Sequence, residues 1–468
     1  MNTRMNRLNT STWVLALVFA TAPWLAGAAR ASAFQLDTGG ADNLGRANSG
    51  GTLWEGDASA AYGNPAAMAW ATAPAIKTSL TLIQPDIRFR GDVSDWQGAP
   101  IAGPDANGGK RAIPVPALYA MRPLTERVAL GTYVTAPYGA ATRYANGWRG
   151  RQFGVRTEIK SVAVGASLAW RVSDSVSLGA GAAAQYTRIQ LSTGTDLFST
   201  LQELGAVVSP LTIAQTHVAM RTWSPAWFLG ASFRPSDRQI VGIAYHAAVR
   251  NRLRGNYRLY FPNDATLAAT GEITAREALA LVPLINGSLP AAHRLPELDA
   301  DGGRARARFD MPAWLDIDWI HQLTDRLAVG ASVRWTQWSR LASLDLEAGT
   351  GPSLSQPLRY RNAMRWSTTA QFQATDKLAL RIGAGYDQTP THTATRDLRI
   401  PDQSRRLLSV GLGYQLGPGT GVDVGYMHQF VSDARLRSRA PSGLGGGTID
   451  GRAKVGGRAL SVSASLRF

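Results

Sequence analysis

Hydrophobic and polar residues alternate with a period of two along most of this chain. After the turn at Thr324-Asp325, every second residue from Leu327 to Trp335 is hydrophobic, and the residues between them are Ala, Gly, Ser or Arg. Segments 378–387, 408–416 and 460–468 repeat this division. Alternation of this kind predicts β-strands. The pattern marks fourteen segments, at 75–90, 112–122, 126–138, 155–172, 175–192, 222–235, 238–260, 304–321, 325–341, 358–373, 376–388, 403–416, 420–433 and 453–468.

The connections between these segments are alternately short and long. Short turns such as "VSDS" (172–175), "LTDR" (323–326) and "ATDK" (374–377) consist mostly of residues that favour tight turns. The other connections are longer, for example 193–221 and 261–303. One face of each segment is hydrophobic and the other is small or polar, which is typical of strands with lipid outside and a lumen inside. The sequence therefore predicts an all-β fold, a 14-stranded antiparallel transmembrane β-barrel, whose closure leaves no unpaired edge in lipid.

The N-terminus has the features of an export signal. Arg4 and Arg7 precede the apolar stretch 13–29, and "ASA" (31–33) fits a cleavage site. We expect a signal peptide at 1–33, with cleavage after Ala31 or Ala33. Among 468 residues there is no Cys, 18% are charged and the net charge is +16. An exported chain of this charge is expected to meet lipopolysaccharide or anionic substrates, and no nucleic acid.

The mature N-terminus and the tail resemble the FadL family of outer-membrane transporters for long-chain fatty acids and other hydrophobic compounds. The matching stretches are "FQLDTGGADNLGRANSGG" (34–51), "GDASAAYGNPAAMA" (56–69), "RWTQWS" (334–339), 386–414 and "VDVGYMHQF" (422–430). The chain departs from the family pattern at Thr391-His392 and in having only Asp57 before its NPA motif. The resemblance implies an N-terminal hatch (plug) with short helices at 34–73 and a barrel at 74–468. It also implies uptake without energy input, through an outer groove, an inner pocket and a sideways exit at a kinked third strand.

Several residues are candidates for this function. The resemblance places Phe34, Gln35 and Leu36 near the inner ligand pocket. Pro137, Tyr138 and Gly139 interrupt the third strand, so they form either the kink of a lateral opening or an ordinary strand end. In the hatch, Asn64, Pro65 and Ala66 read as the cap and first turn of a short helix, a structural role.

Two long loops are unusually apolar. Leu197, Leu201, Leu204 and Val208 fall on one helical face, and "TAREALALVPLI" (274–285) opens with a capping box from Thr274 to Glu277. Exposed apolar helices favour a capture groove for hydrophobic ligands. Two helices that pack only on each other would produce the same pattern.

Arginines recur at every second position near the outer strand ends. If strand parity holds, these rows face the lumen and steer carboxylates; if a bulge turns them outward, they meet lipopolysaccharide phosphates. The rows are Arg250, Arg252 and Arg254; Arg304, Arg306 and Arg308; Arg359 and Arg361; and Arg435, Arg437 and Arg439. Deeper in the lumen we expect Arg334, Arg365 and Arg381, as ligand groups or paired with Asp316, Asp318, Asp387 or Asp423.

The sequence thus predicts outer-membrane transport of hydrophobic small molecules, with long-chain fatty acids first and aromatic hydrocarbons second. A general polar porin and a lipid-hydrolysing barrel are the rivals from other classes. No nucleophile motif and no His cluster at metal-ligand spacing is present, so we expect no enzyme, no metal and no cofactor. The expected partners are fatty acids or hydrocarbons, outer-membrane lipids and lipopolysaccharide, and the expected state is a monomer.

Overall fold

Fourteen antiparallel strands form one closed barrel in the computed structural model, as the alternation predicts. The structure describes residues 33–37, 39–95, 98–109, 112–196, 201, 208–209, 212–288, 297–349, 354–439 and 447–468. The strands are β1 (Ala75–Ser94), β2 (Ala106–Gly109 and Ile113–Pro123), β3 (Val128–Thr135 and Gly139–Arg143), β4 (Arg156–Arg171), β5 (Val176–Asp196), β6 (Ile213–Ser236), β7 (Gln239–His246 and Arg252–Tyr260), β8 (Gly303–Arg308 and Trp314–Gln322), β9 (Leu327–Thr336 and Ser343–Ala348), β10 (Leu354–Pro357 and Ala363–Gln373), β11 (Leu378–Asp387), β12 (Arg405–Gly417), β13 (Thr420–Val431 and Ala434–Arg439) and β14 (Thr448–Arg467).

The first and last strands close the sheet. β1 pairs with β14 from Ala75↔Arg467 to Ser94↔Thr448 without a break in register. Among the described residues, no helix is long and apolar enough to cross a membrane. Between the outer rim and the short turns the outward residues are large and apolar, for example Leu168, Trp170, Leu229 and Phe233, each about half exposed. The predicted lipid-facing side is therefore present.

Several strands change near the outer rim in which alternate residues face inward, and this change decides how the arginine rows are oriented. In β7 the inward residues are even-numbered up to His246 and odd-numbered from Leu253 onward, because the irregular residues 247–251 separate the two pieces. The same change occurs at 309–313 in β8 and at 432–433 in β13. Of the two orientations left open for the arginine rows, these strands have the outward one, since Leu253, Ala305 and Leu436 point inward. The exposed, outward-facing residues are Arg252, Arg254, Arg304, Arg306, Arg308, Arg435, Arg437 and Arg439, and Arg250 and Arg359 are also exposed.

The residues before β1 lie against the inner wall. A short helix, α1 (Ala41–Gly45), packs on β12 and β13 so closely that a Cβ on Gly425 would lie 2.1 Å from the Ala41 carbonyl oxygen. Two 3-10 helices, Ala58–Ala61 and Pro65–Trp70, contact β2 to β6. Asn64 caps the second of them through its side chain, as expected, and its amide also donates to the Ala231 carbonyl of β6 at 3.2 Å. Glycines on the lumen face therefore leave room for the backbone of the hatch.

Buried ion pairs join the hatch to the barrel wall. The Lys77 ammonium of β1 lies 2.6 Å from Asp42 and 2.8 Å from Asp57. Arg46 follows α1 and pairs with Asp42 at 2.8 Å, and its guanidinium lies over the Trp54 ring. A charge removed from water requires a partner, so these pairs favour one seating of the hatch.

Candidate functional site

The third strand is broken where the sequence places Pro137, Tyr138 and Gly139. Its lower piece pairs with β2 only up to Val134↔Leu118, and its upper piece, Gly139–Arg143, pairs with β4. On the other side of the break, Ile113–Ala117 of β2 pairs with β1. Among the described residues, no backbone pairing joins β2 to the upper piece of β3. The wall therefore has a gap at this height.

The N-terminal segment Phe34–Leu36 lies across the break as a short added strand. The Leu36 N–H donates to the Pro137 carbonyl and the Gly139 N–H donates to the Phe34 carbonyl, both at 2.9 Å. Gln35 and Tyr138 are bridged directly. Phe34 is buried with its ring edge-on to Trp338, at 4.8 Å between centroids, and stacked on Phe309. The structure thus brings together the two groups that the sequence singled out separately.

A cavity of about 350 Å³ lies beneath the segment and the gap. This volume falls in the range of small-molecule sites. Most of its lining is apolar side chains from the N-terminal segment and from strands on both sides of the gap. They include Phe34, Leu36, Ile83, Ile113, Val115, Tyr138, Ile159 and Met427.

The cations near this cavity already have carboxylate partners. Arg399 is held by Asp397, and Arg405 lies 3.2 Å from Asp387 and 3.5 Å from Asp402. Asp402 is a buried loop residue. Burial raises the pKa of its carboxyl to about 7, against the opposing effect of Arg405. The cavity is therefore an apolar site, and the arginines at its edge are neutralised by carboxylates.

The deep arginines hold the N-terminal segment. Arg334 donates to Asp37 at 2.7 Å and to both Asp316 oxygens at 2.6 Å, and Arg365 pairs with the other Asp37 oxygen. Burial alone would raise the pKa of Asp37, but Arg365 and Arg334 lower it to about 2. Arg334 and Arg365 are outside the apolar cavity's lining. Their use as ligand groups stays a prediction, whereas their contact with the hatch is observed.

The third predicted lumen arginine lies in another part of the wall. Arg381 pairs with Asp423 at 2.6 Å, one of the expected partners. Asp387 pairs with Arg405 instead, and Asp318 accepts a hydrogen bond from Ser332. The lumen is thus rich in arginine, but nearby carboxylates neutralise these charges.

The outer loops add apolar surface. Three helices, α2 (Asp264–Thr270), α3 (Ala275–Ala280) and α4 (Val282–Ser288), lie in the long loop, and the predicted capping box of Thr274 and Glu277 is present. Leu279 and Val282 are buried in the same apolar core as Leu201, and Val208 packs against that core. Leu281 and Leu284 remain 41% and 75% exposed. Leu197 and Leu204 lie outside the described residues.

Two features of the site were missed in the sequence. Pro114 and Pro116 alternate in the "IPVP" of β2 beside the gap, and proline without an N–H is typical of an edge strand. Asp37 directly follows the candidate residues Phe34, Gln35 and Leu36. Its role depends on Arg334 and Arg365, about 300 residues away.

Comparison with known proteins agrees with this geometry. Residues 22–468 match the family model described as outer membrane protein transport protein (OMPP1/FadL/TodX). The crystal structure of a Pseudomonas aeruginosa FadL homologue is 34% identical with a TM-score of 0.84, over 93% of this chain and 100% of that one. Outer membrane protein P1 of Haemophilus influenzae is 27% identical, over 91% of this chain and 90% of the relative. The long-chain fatty acid transport protein of Escherichia coli O6:H1 is 25% identical, over 89% and 90%.

Proposed function

Since the chain belongs to the outer membrane protein transport family (OMPP1/FadL/TodX), whose members carry hydrophobic compounds across the outer membrane, we propose that it takes up long-chain fatty acids and releases them sideways through the gap between β2 and β3. Membership in a family of transporters also confirms that the chain is not an enzyme. The outer-membrane location is confirmed in the same way.

The observation that carries the proposal is that three features lie next to one another at the same level of the barrel. The apolar cavity, the unpaired wall beside it and the N-terminal segment across the break share Leu36, Tyr138 and Gly139. A ligand in the cavity lies beside the gap, and the segment Phe34–Leu36 covers the break. Release of the segment would join the cavity to the membrane without exposing the ligand to water.

Capture is assigned to the outer helices. Leu281 and Leu284 expose apolar side chains, while Leu279 and Val282 join the core that also contains Phe34. The outer helices and the N-terminal segment thus share one apolar core, so a hydrophobic ligand that moves inward from Leu281 and Leu284 would meet apolar side chains, which lowers the cost of leaving the exposed surface.

A disulfide tests the exit. Gln35 and Tyr138 form a non-hydrogen-bonded pair, with Cα atoms expected about 4.5 Å apart, inside the range for a disulfide. The chain has no native Cys, so the Gln35→Cys/Tyr138→Cys variant has one possible bridge. Oxidation should stop oleate uptake into cells that lack their own transporter, and reduction should restore it.

The two single-Cys variants are the controls, and neither should respond to the oxidant. Uptake that continues through the bridged barrel would exclude exit at this break. Binding of oleate should be equal in the oxidised and reduced forms of this variant, because the same side chains line the cavity in both, and a loss on oxidation would mean that the bridge distorts the pocket.

Aromatic hydrocarbons are the second candidate, favoured by the neutral lining of the cavity. Arg399 and Arg405 are both engaged by carboxylates, so an uncharged ligand would leave their pairs intact. Titrations of refolded protein with oleate and with toluene separate the two: saturation by toluene alone would assign the hydrocarbon.

A further inference from the structure

A row of arginines crosses four neighbouring strands on the outside of the barrel. The strand register places Arg188 of β5 opposite Arg221 of β6, Arg221 opposite Arg254 of β7, and Arg254 opposite Arg306 of β8. Adjacent strands are about 4.8 Å apart, so the row spans about 14 Å. Lys160 of β4 continues it at one end. We call these four arginines the arginine row.

All four side chains are exposed and point away from the core. Their neighbours along each strand are buried instead. Ile189, Met220, Leu253 and Ala305 are each only 1% exposed. Lys160 is already paired with Glu158. Within the described part of the chain, none of the four arginines has a carboxylate within 4.0 Å, although Glu347 lies opposite Arg306 in the register.

Such a row is costly without an anion. Like charges directly opposite each other destabilise a sheet. Three such pairs stand side by side here. The other ion pairs of the barrel show that this chain elsewhere places carboxylates beside its arginines, so the row is arranged for an anion from outside the chain.

The position of the row identifies that anion. Two residues toward the membrane, Tyr186 and Trp223 face outward in contact, with ring centroids 5.3 Å apart. Below them lie Trp227, Leu229 and Phe233, all about half exposed. Aromatic residues of this kind mark the interface between lipid tails and headgroups. The long-loop end of the barrel faces outward from the cell, so the row lies at the headgroup level of the outer leaflet.

We propose that the arginine row binds the phosphate groups of lipopolysaccharide. Guanidinium groups form bidentate, charge-assisted hydrogen bonds with phosphate, and a row of them matches a headgroup with several phosphates. The bound lipid cancels the repulsion between the arginines and anchors the side of the barrel formed by β5 to β8.

The test compares two variants with the same loss of charge. One carries Arg188→Gln, Arg221→Gln, Arg254→Gln and Arg306→Gln. The control carries Arg122→Gln, Arg127→Gln, Arg326→Gln and Lys377→Gln, four exposed positions at the short-turn end. Each protein is refolded in lipid-free detergent without divalent cations and titrated with lipid A bearing two phosphates, lipid A without phosphates, and phosphatidylglycerol.

The wild type and the control should bind bisphosphorylated lipid A equally, and the row variant should bind it at least about tenfold more weakly. Lipid A should also raise the unfolding temperature of the wild type and leave that of the row variant unchanged. In lipid-free detergent the row variant should unfold at the same or a higher temperature, because its repulsion is gone, which separates loss of binding from loss of fold.

Equal binding by the row variant would overturn the proposal. So would equal affinity for lipid A without phosphates, or for phosphatidylglycerol, since the surface would then recognise acyl chains or any anionic lipid. Full competition by inorganic phosphate at millimolar concentration would assign a small-anion site in place of a lipopolysaccharide site.

Discussion

Asp37 is the residue on which the seating of the N-terminal segment most depends. It accepts from Arg334 at 2.7 Å and pairs with Arg365, and both arginines belong to strands of the opposite part of the wall from the break. Three residues earlier, Phe34 joins the core around Trp338. The segment is therefore held at one end by apolar burial and at the other by charge.

Replacement of Asp37 by Asn should loosen this segment. Charge-assisted hydrogen bonds contribute about 1.5–3 kcal/mol each, so the opening of residues 34–37 should become at least about tenfold more frequent. Maleimide labelling of a Leu36→Cys reporter measures this opening, in a chain with no other thiol. The control is Asp325→Asn, which removes an exposed pair with Arg238 and should leave the labelling rate unchanged. Equal rates in all three proteins would show that Asp37 does not hold the segment.

Because Asp37 holds the segment through its charge, we expect the opening of residues 34–37 to depend on pH. Its folded pKa, about 2, lies below the usual 3.8, so its stabilising effect is complete above pH 3.8 and disappears as the pH falls toward 2. Hydrogen exchange at residues 34–37, corrected for the intrinsic rate, should accelerate over that interval in the wild type. In the Asp37→Asn variant exchange should already be fast at pH 5 and should change little.

At the scale of elements, the strands were predictable because their signal is local. Each hairpin combines a tight turn such as Thr324-Asp325 with period-two alternation, and lipid on one side keeps that alternation regular. The parity changes at 247–251 and 309–313 carry no such signal. They arise where the environment outside the barrel changes from lipid to water and the inward face becomes the apolar core around Leu253. The sequence left the orientation of the arginine rows open for this reason.

The outer helices supply the next test. Leu281 and Leu284 are 41% and 75% exposed, so their replacement by Ser removes apolar surface with little effect on packing. The double variant should take up oleate several-fold more slowly, while equilibrium affinity for the cavity stays the same. Leu416, 60% exposed at the other end of the barrel, provides the matched control as Leu416→Ser. Unchanged uptake in the double variant would remove these helices from the capture step.

At the scale of the whole molecule, the hatch determines what can cross the barrel. α1 contacts β11 to β14 on one wall, and the 3-10 helix Pro65–Trp70 contacts β4 to β6 on another. The hatch fits in the barrel because the wall has glycines and the hatch has carboxylates at their contacts. The sequence shows the wall glycines only as part of the small or polar face of each strand. Which glycine meets which backbone, as Gly425 meets Ala41, depends on the folded barrel and could not be read from alternation.

A filled lumen predicts little ion current, in contrast to a polar porin. In planar bilayers the wild type should show no steady open state, because the hatch bridges walls on different sides of the barrel and its ion pairs occupy the polar groups of the lumen. Removal of residues 39–73 should produce stable conducting steps, since a barrel of fourteen strands is wide enough to hold water once it is emptied. Heat-modifiable electrophoretic mobility verifies that the emptied barrel is folded. The Gly456→Ala variant, whose added Cβ meets no atom within 4 Å, should behave as the wild type does. A steady current through the wild type would favour the polar porin, because ions would then have a path that the seated hatch is expected to close.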